Sequence, residues 1–499
     1  MVNYQLTEGT ICAPATIPGT GAISIIRVSG KEALTLADKI ICVNGAPLAE
    51  TEGYRLRYGT ILETNGTVLD NVVVSVFRAP HSYTGEDSVE ISCHASKYIV
   101  NAIMAQLIAA GARVAAPGEF TRRAFMNGKM DLAQAEAVAD VIASQSAASH
   151  RVAMNQLKGG FSKELKELRE QLLKMTSLLE LELDFSEEDV EFASREELGM
   201  LVDSTLSHIG RLTDSFSRGN AIKNGVPVAI VGATNTGKST LLNALLGEDR
   251  AIVSDIAGTT RDTIEETLDI DGVMFRFIDT AGIRETDEVV EKIGIERTFR
   301  KMDEAAIVLG MTDLTRGEDA VVADAEYILG KVSADARPVL LVNKCDEMDD
   351  CVFSEDEQDI SGETPNNDVN TYNNIVSHLK NKGFTVPIVP ISAKKGLGLS
   401  TLTSKLAEIG HEITGDTDET LVTNARHYEA LVNAATALNR VRGGLGVPLI
   451  GSSSASTPLP PDLVAQDLHE ALYHLGSIVG EITTDEVLGN IFRNFCIGK

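Results

Sequence analysis

The chain has 499 residues, which at roughly 150 residues per domain suggests about three domains. Hydrophobic residues make up 43% and charged residues 23%, a globular composition that excludes a fibrous or wholly disordered chain. Lys and Arg number 44 against 72 Asp and Glu, so the formal net charge is −28, and any nucleic-acid binding must come from a local basic patch or a basic partner.

The opening residues MVNYQLTEGTICAPAT lack a basic stretch followed by an apolar core, so no signal peptide is predicted. No apolar run reaches the ~18 residues needed to cross a bilayer, and Ala102–Ala116 is broken by Gln106, Gly111 and Arg113. The six cysteines include no C-x-x-C pair. A cytoplasmic chain with no membrane contact is the expectation.

Residues 1–127 read as mixed α/β, with strands at Ile23–Val28 and Val72–Phe77, turns at Pro18-Gly19 and Asn65-Gly66, and a helix at Lys97–Ala110. Residues 128–221 turn helical. There Leu165, Leu168, Leu172, Met175 and Leu179 share one helix face, which reads as a bundle seam in preference to a dimer surface. Residues 222–411 alternate strand and helix, with strands at Val228–Val231, Ala306–Leu309, Val339–Val342 and Val386–Ile391. A hairpin is predicted from Thr267–Ile270, the turn Asp271-Gly272, and Val273–Ile278. The polar stretch 347–374 reads as a solvated surface insertion. In residues 412–499, Val464, Leu468, Leu472, Leu475 and Val479 form another helical stripe, and Gly443–Pro461 reads as a loop. The predicted fold class is α/β plus all-α: an N-terminal α/β domain, then a discontinuous helical bundle with a doubly wound α/β domain inserted into it.

The strongest motif is Gly232-Ala-Thr-Asn-Thr-Gly-Lys-Ser239, a G-x-x-x-x-G-K-S string between a predicted strand and a predicted helix. Its glycines let backbone N–H groups of Asn235, Thr236, Gly237, Lys238, Ser239 and Thr240 curl around phosphate oxygens at a helix N-terminus. Lys238 is placed to reach the β- and γ-phosphates, and the Ser239 hydroxyl to bind Mg²⁺. Three further strings point to GTP. Asp279, Thr280, Ala281 and Gly282 form D-x-x-G, suited to magnesium and the γ-phosphate. Asn343-Lys344-Cys345-Asp346 supplies a carboxylate for the N1–H and amino group of guanine, a donor pair that adenine lacks. Ser392, Ala393 and Lys394 can present the Ala393 N–H to guanine O6.

Between these strings lies Ser254, Asp255, Ile256, Ala257, Gly258, Thr259, Thr260, with Thr260 the natural switch ligand for Mg²⁺. Ras-like enzymes place Gln after D-x-x-G, but Ile283 stands here, so the attacking water must be held otherwise. Glu285, Asp287, Glu288 and Glu291 are candidate carboxylates for that role, and Arg261 and Arg284 are nearby cations. A monovalent cation cradled by Asn235 and carbonyls of Ser254–Thr259 is a further source of positive charge.

TICAPATIPGTGAISIIRVSG at 10–30, HSYTGEDSVEISCH at 81–94, PGEFTRRAFMNGKMDLAQAEAVADVI at 117–142 and the terminal FCIGK at 495–499 resemble the MnmE (TrmE) family of tRNA-modifying GTPases. So do IAGTTRD and DTAGIRETDEVVEKIGIER, and the resemblance spans nearly the whole chain. It implies a folate-binding and dimerising N-terminal domain, a helical domain in two segments, and an inserted Ras-like G domain. It also implies K⁺-dependent GTP hydrolysis coupled to modification of C5 of the wobble uridine, giving a carboxymethylaminomethyl-type group. The implied partners are a second copy, tRNA, and the flavin-dependent MnmG (GidA) in a heterotetramer; the one-carbon source is formyl- or methylene-tetrahydrofolate.

Carried onto this sequence, Asn235 is the K⁺ ligand with backbone groups of Ser254, Ile256 and Thr259, while Ser239 and Thr260 hold Mg²⁺. Glu291 becomes the water-orienting carboxylate. Arg27, Glu90, Lys129 and Lys499 match folate-contacting positions, although Arg27 taken alone reads as half of a structural salt bridge. Cys496 is a candidate nucleophile or redox thiol, or simply a small apolar residue at a helix end. The chain departs from the family pattern at Ala233-Thr234, usually x-Pro, and at Ala95-Ser96, usually Gly-Gly. A GTP-switch assembly factor without modification chemistry would share the G motifs, whereas a folate-binding scaffold with a vestigial G domain is disfavoured by their being intact.

Overall fold

The computed structural model describes residues 9–19, 21–184, 195–248, 266–278, 302, 304–347, 367–415, 419–446, 458–482, 485–493, 495 and 498, with the side chains of 182–184, 248, 367–373, 485–487 and 490 excepted. It falls into two compact units. One comprises Met1–Ala143, Ala153–Thr213 and Ala425–Lys499; the other comprises Ser144–Val152 and Asp214–Asn424.

The first unit opens with a seven-stranded sheet. Its strands are β1 (Ile11–Pro14), β2 (Ile23–Ser29), β3 (Ile41–Val43), β4 (Arg55–Leu62), β5 (Val68–Phe77), β6 (Ser88–His94) and β7 (Arg113–Val114). They lie in the order β3-β4-β5-β6-β2-β1-β7, antiparallel except for the β1–β7 pair. Strand alternation sends Val72, Val74 and Val76 of β5 inward with Ile26, Val28, Val89 and Ile91. The helices Ala33–Ile40 and Lys97–Ala110 cover that face with Leu34, Leu36, Ile103 and Leu107.

Helices of the same unit form a bundle. Leu165, Leu168, Leu172, Met175 and Leu179 are all buried on the helix Gly160–Asp184, so the seam is bundle core and not an exposed face. This helix packs on Pro461–Val479, where Val464, Leu468, Leu472 and Leu475 are buried. The stripe closes on Ile478, which is buried, and not on the half-buried Val479. The predicted loop Gly443–Pro461 runs from the end of Ala425–Gly444 to the start of Pro461–Val479, and its residues 447–457 lie outside the described residues.

The chain enters Ala425–Gly444 at an ion cluster. Arg426 donates from Nε and Nη2 to the two oxygens of Glu136, at 3.0 and 3.1 Å, and from Nη1 to the Ser477 carbonyl. His427 lies 2.6 Å from the same carboxylate through Nε2 and stacks on Phe161. Burial alone would raise the Glu136 carboxyl, but the charges and hydrogen bonds of His427 and Arg426 outweigh it and pull it down to about 2.

The second unit carries a six-stranded sheet. Its strands are β8 (Val226–Gly232), β9 (Glu266–Ile270), β10 (Val273–Phe277), β11 (Ile307–Asp313), β12 (Arg337–Asn343) and β13 (Ile388–Pro390). The order is β13-β12-β11-β8-β10-β9, all parallel except the β9–β10 hairpin. Both faces are buried, which is why β8, β11 and β12 are near-continuous apolar runs in sequence. Val228 and Ile230 face Leu241, Leu242 and Leu245 on one side, while Ala229 and Val231 face Met302 and Ile328 on the other. The hairpin turns through Asp271 (φ 53°) and Gly272 (φ 78°), the left-handed pair a tight two-residue turn needs. The stretch 347–374 is not all solvated insertion: the helix Asn367–Asn381 begins within it and seats Ile375 and Leu379 against Val321, Val322 and Ala325. Residues 348–366 lie outside the described residues.

The depressed Glu136 carboxyl sets a pH window. Its contribution to stability is present above its ordinary value of 4.5 and is lost as pH falls through about 2. Glu136→Gln should therefore cost about 3 kcal/mol at pH 7. Hydrogen exchange of Ala425–Gly444 should show this cost at pH 7, and the gap from wild type should shrink towards pH 2.

Candidate nucleotide-binding site

The phosphate loop leaves β8 at Gly232 and enters the helix Lys238–Glu248. Two residues turn it: Asn235 at φ 62° and Gly237 at φ 97°. Gly237 has a second constraint, since a Cβ there would sit 2.4 Å from Asn343 Nδ2. Thr236 is buried and donates its hydroxyl to the Ala233 carbonyl at 2.9 Å. Lys238 reaches back over the loop, donating from Nζ to the carbonyls of Gly232 (2.9 Å) and Ala233 (2.7 Å). Burial holds its amine below the ordinary lysine value. The Ala233-Thr234 departure thus leaves the loop closed around its lysine.

Asn343, at the end of β12 and buried, joins three segments. Its Nδ2 donates to the Thr236 carbonyl at 2.7 Å, and its Oδ1 accepts from the Ala393 N–H at 3.0 Å. The phosphate loop, the 343–346 segment and the 392–394 segment, far apart in sequence, are thereby brought together. The Ala393 N–H, a candidate donor to guanine O6, is directed at Asn343 here.

Asp346 follows in a short 3-10 turn, Cys345–Glu347. Its Oδ1 accepts from the Ser392 hydroxyl at 2.6 Å, and Lys395 Nζ stands 3.7 Å from Oδ2. The Ser392 hydrogen bond chiefly holds the carboxyl below its ordinary range; burial opposes this, and Lys395 and Lys394 reinforce it. An ionised, oriented carboxylate is the acceptor that guanine's N1–H and amino group require. Lys394 itself is exposed.

Sequence reasoning missed Asp313, at the end of β11. It accepts from Lys344 Nζ at 2.7 Å and from the N–H and hydroxyl of Thr315. Its signal was available: Asp-Leu-Thr directly after an apolar strand is a capped turn. Burial would raise the Asp313 carboxyl, yet the bonds from Lys344 and Thr315 outweigh it and leave it lowered.

The second predicted site, in the first unit, is partly assembled. Arg27 on β2 and Glu90 on β6 are cross-strand partners, and Arg27 Nε and Nη2 donate to Glu90 Oε1 at 2.9 and 2.8 Å. The guanidinium lies over Tyr83 and Phe120, and Nη1 donates to the Gly498 carbonyl at 3.3 Å. Gly498 (φ 98°) is seated where a Cβ would meet the Pro14 carbonyl at 2.2 Å. Lys129 donates to the Pro80 carbonyl at 3.0 Å and lines an open cavity of about 210 Å³ with Tyr54, Phe77, His81, Ser82 and Tyr83. Arg27 thus makes the salt bridge that its type suggests, and the Tyr83 ring that it lies over also lines that cavity.

The remaining candidates, namely Ser254, Asp255, Ile256, Ala257, Gly258, Thr259, Thr260, Asp279, Thr280, Ala281, Gly282, Glu291, Cys496 and Lys499, lie outside the described residues. Among the described residues, no group of three or more acidic, His or Cys side chains could hold a metal ion, and no helix is long and apolar enough to cross a membrane.

Comparison with known proteins gives a consistent result. The family model described as "GTP-binding protein TrmE N-terminus" matches residues 10–129, and "MnmE helical domain" matches 132–496. A protein of Parabacteroides distasonis called "tRNA modification GTPase MnmE" is 50% identical over 493 residues, covering 98% of this chain and 100% of that one. A Bacteroides fragilis protein of the same name is 50% identical over 497 residues, covering 99% and 100%. Another from Flavobacterium johnsoniae is 48% identical over 500 residues, with the same coverage.

The tight seat of Gly237 yields a test. Gly237→Ala should push Asn343 off the loop and strain the backbone, weakening GDP binding by about 100-fold. Titration with a fluorescent GDP analogue measures it, and circular dichroism checks that the sheet persists.

Proposed function

The chain belongs to the MnmE family of tRNA modification GTPases, and on that premise we propose that it spends GTP to drive modification of C5 of the wobble uridine in certain tRNAs. The observation that carries the reading is the Asn343 side chain, which ties the phosphate loop to the guanine-reading segments. Such a tie makes base recognition and phosphate cradling one rigid unit. The proposed arrangement is a folate-binding and dimerisation domain at 1–127, a helical domain from 128–221 and 412–499, and an inserted G domain at 222–411.

In this proposal the Lys238 ammonium exchanges its two neutral carbonyls for anionic phosphate oxygens, a stronger pairing. Backbone N–H groups from Asn235 to Thr240 take the remaining oxygens. Asp346 reads the base. Glu291 orients the attacking water, because Ile283 has no group to do so. Ser239, in the first turn of its helix, and Thr260 hold Mg²⁺. Asn235 is exposed, and its side chain has no hydrogen-bond partner among the described residues, which fits an oxygen ligand for K⁺. Bound there, the two cations neutralise charge that builds on the phosphates.

Arg27, Glu90, Lys129 and Lys499 serve a formyl- or methylene-tetrahydrofolate, with the Lys129 cation suited to the folate's glutamate tail. Cys496 sits in the same terminal motif as Lys499. A homodimer through the N-terminal domain is supported by Leu56 and Tyr58 on β4, which are 70% and 60% exposed on the sheet face away from the helices. Val73, directly opposite Tyr58 on β5, extends this apolar face. The −28 net charge favours tRNA contact shared with a basic surface on the flavin-dependent partner MnmG.

Mass spectrometry of tRNA nucleosides from cells lacking the gene should show wobble uridines without the carboxymethylaminomethyl-type group; unchanged nucleosides would sink the proposal. Hydrolysis by the purified protein should run at least about tenfold faster in KCl than in NaCl. Asn235→Ala should abolish that difference while retaining GDP binding, and equal rates in both salts for the wild type would remove the cation role.

A further inference from the structure

We propose that Asp313 is a positioning residue for guanine, acting through Lys344. The inference rests on the reading that the 343–346 segment takes the base. β11 and β12 are parallel neighbours with Asp313 level with Asn343, so the two strands end side by side at the nucleotide site. The chain then turns abruptly. Lys344 has φ 64°, a left-handed conformation that is strained for a non-glycine residue. That turn sends Asn343 back towards the phosphate loop and Asp346 on towards Ser392. A long lysine at such a turn has several rotamers open to it, and something must select one.

The selector is Asp313. Its carboxylate is 8% exposed, and its two oxygens divide the work. Oδ1 accepts from the Thr315 N–H at 3.0 Å and from the Thr315 hydroxyl at 2.6 Å, which fixes the plane of the carboxylate. Oδ2 accepts from Lys344 Nζ at 2.7 Å. The ammonium is thereby pinned to the end of β11, which restricts the lysine's four methylenes. This presents a fixed apolar edge beside Asp346, suited to one side of a flat purine. Asp313 itself makes no contact with the base. It removes the entropy that Lys344 would otherwise lose on binding, so its effect falls on affinity for the guanine nucleotide and not on phosphate chemistry.

The test uses the full chain. Asp313→Asn keeps the size and the Oδ1 acceptor for Thr315 but removes the charge that holds Lys344. GDP affinity should fall about tenfold and the KM for GTP should rise by as much, with kcat within about twofold of wild type. Lys344→Met supplies the other corner of a cycle: the double variant should bind GDP no more weakly than Lys344→Met alone. Thr315→Val, which removes only the hydroxyl donor, should give a smaller shift in the same direction even if Asp313→Asn folds poorly. Asp346→Asn is run alongside, with xanthosine diphosphate as probe. If it switches preference to xanthine while Asp313→Asn leaves GDP affinity unchanged, or if the two losses in the cycle simply add, the role of Asp313 is overturned. If it leaves the preference for guanine intact, the base-site reading falls, and this inference falls with it.

Discussion

One buried amide organises the nucleotide site. Asn343 gives its Nδ2 to the phosphate loop and its Oδ1 to the N–H of Ala393, so both polar ends of its amide are used on backbone groups. A buried amide with either end unpaired costs about as much as a lost hydrogen bond, so the loop, the strand end and the 392–394 segment hold one another in register. Gly237 exists in this form because Asn343 occupies the space a side chain would need. Asp346 and Ser392, then Asp313 and Lys344, extend the same cross-linking outward from the strand ends.

The same logic of paired charge recurs in the first unit, with a different purpose. Glu136, Arg426 and His427 join three helices, and the Arg426 guanidinium also satisfies carbonyls at the end of Pro461–Val479. Those carbonyls have no partners within their own helix. Arg27 plays a comparable part at the N-terminal sheet, where Glu90, two aromatic faces and the Gly498 carbonyl surround one guanidinium. The end of the chain is therefore seated on its beginning, with Gly498 fitted against Pro14 because no larger residue leaves room. Each of these two arginines is committed to a specific structural join.

Much of this was legible in the amino-acid order. Strand-like apolar runs between turn signals gave β2 and β5, and near-continuous apolar runs gave β8, β11 and β12, where burial on both faces removes the alternation. The 3.6-residue spacing of Leu165 to Leu179 gave a core helix. Asp271-Gly272 gave the hairpin turn, since few residue pairs tolerate two left-handed conformations in succession. The phosphate loop and the 343–346 and 392–394 strings were readable because each is local: a few backbone groups and side chains whose chemistry is set by their spacing.

What sequence alone determined was therefore the local geometry and the candidate groups for phosphate and base, since dihedral preference and hydrophobic period act over a few residues. Tertiary structure decided which distant groups face one another. It put Ala393 against Asn343 and Asp313 against Lys344, ended a helical stripe on Ile478 in place of Val479, and began a helix at Asn367 inside a stretch that composition alone marks as solvated. These outcomes depend on strand register and on which helix a face finds to bury against. Neither is encoded in any short segment, because the energy that selects them comes from contacts made only after the chain has closed on itself.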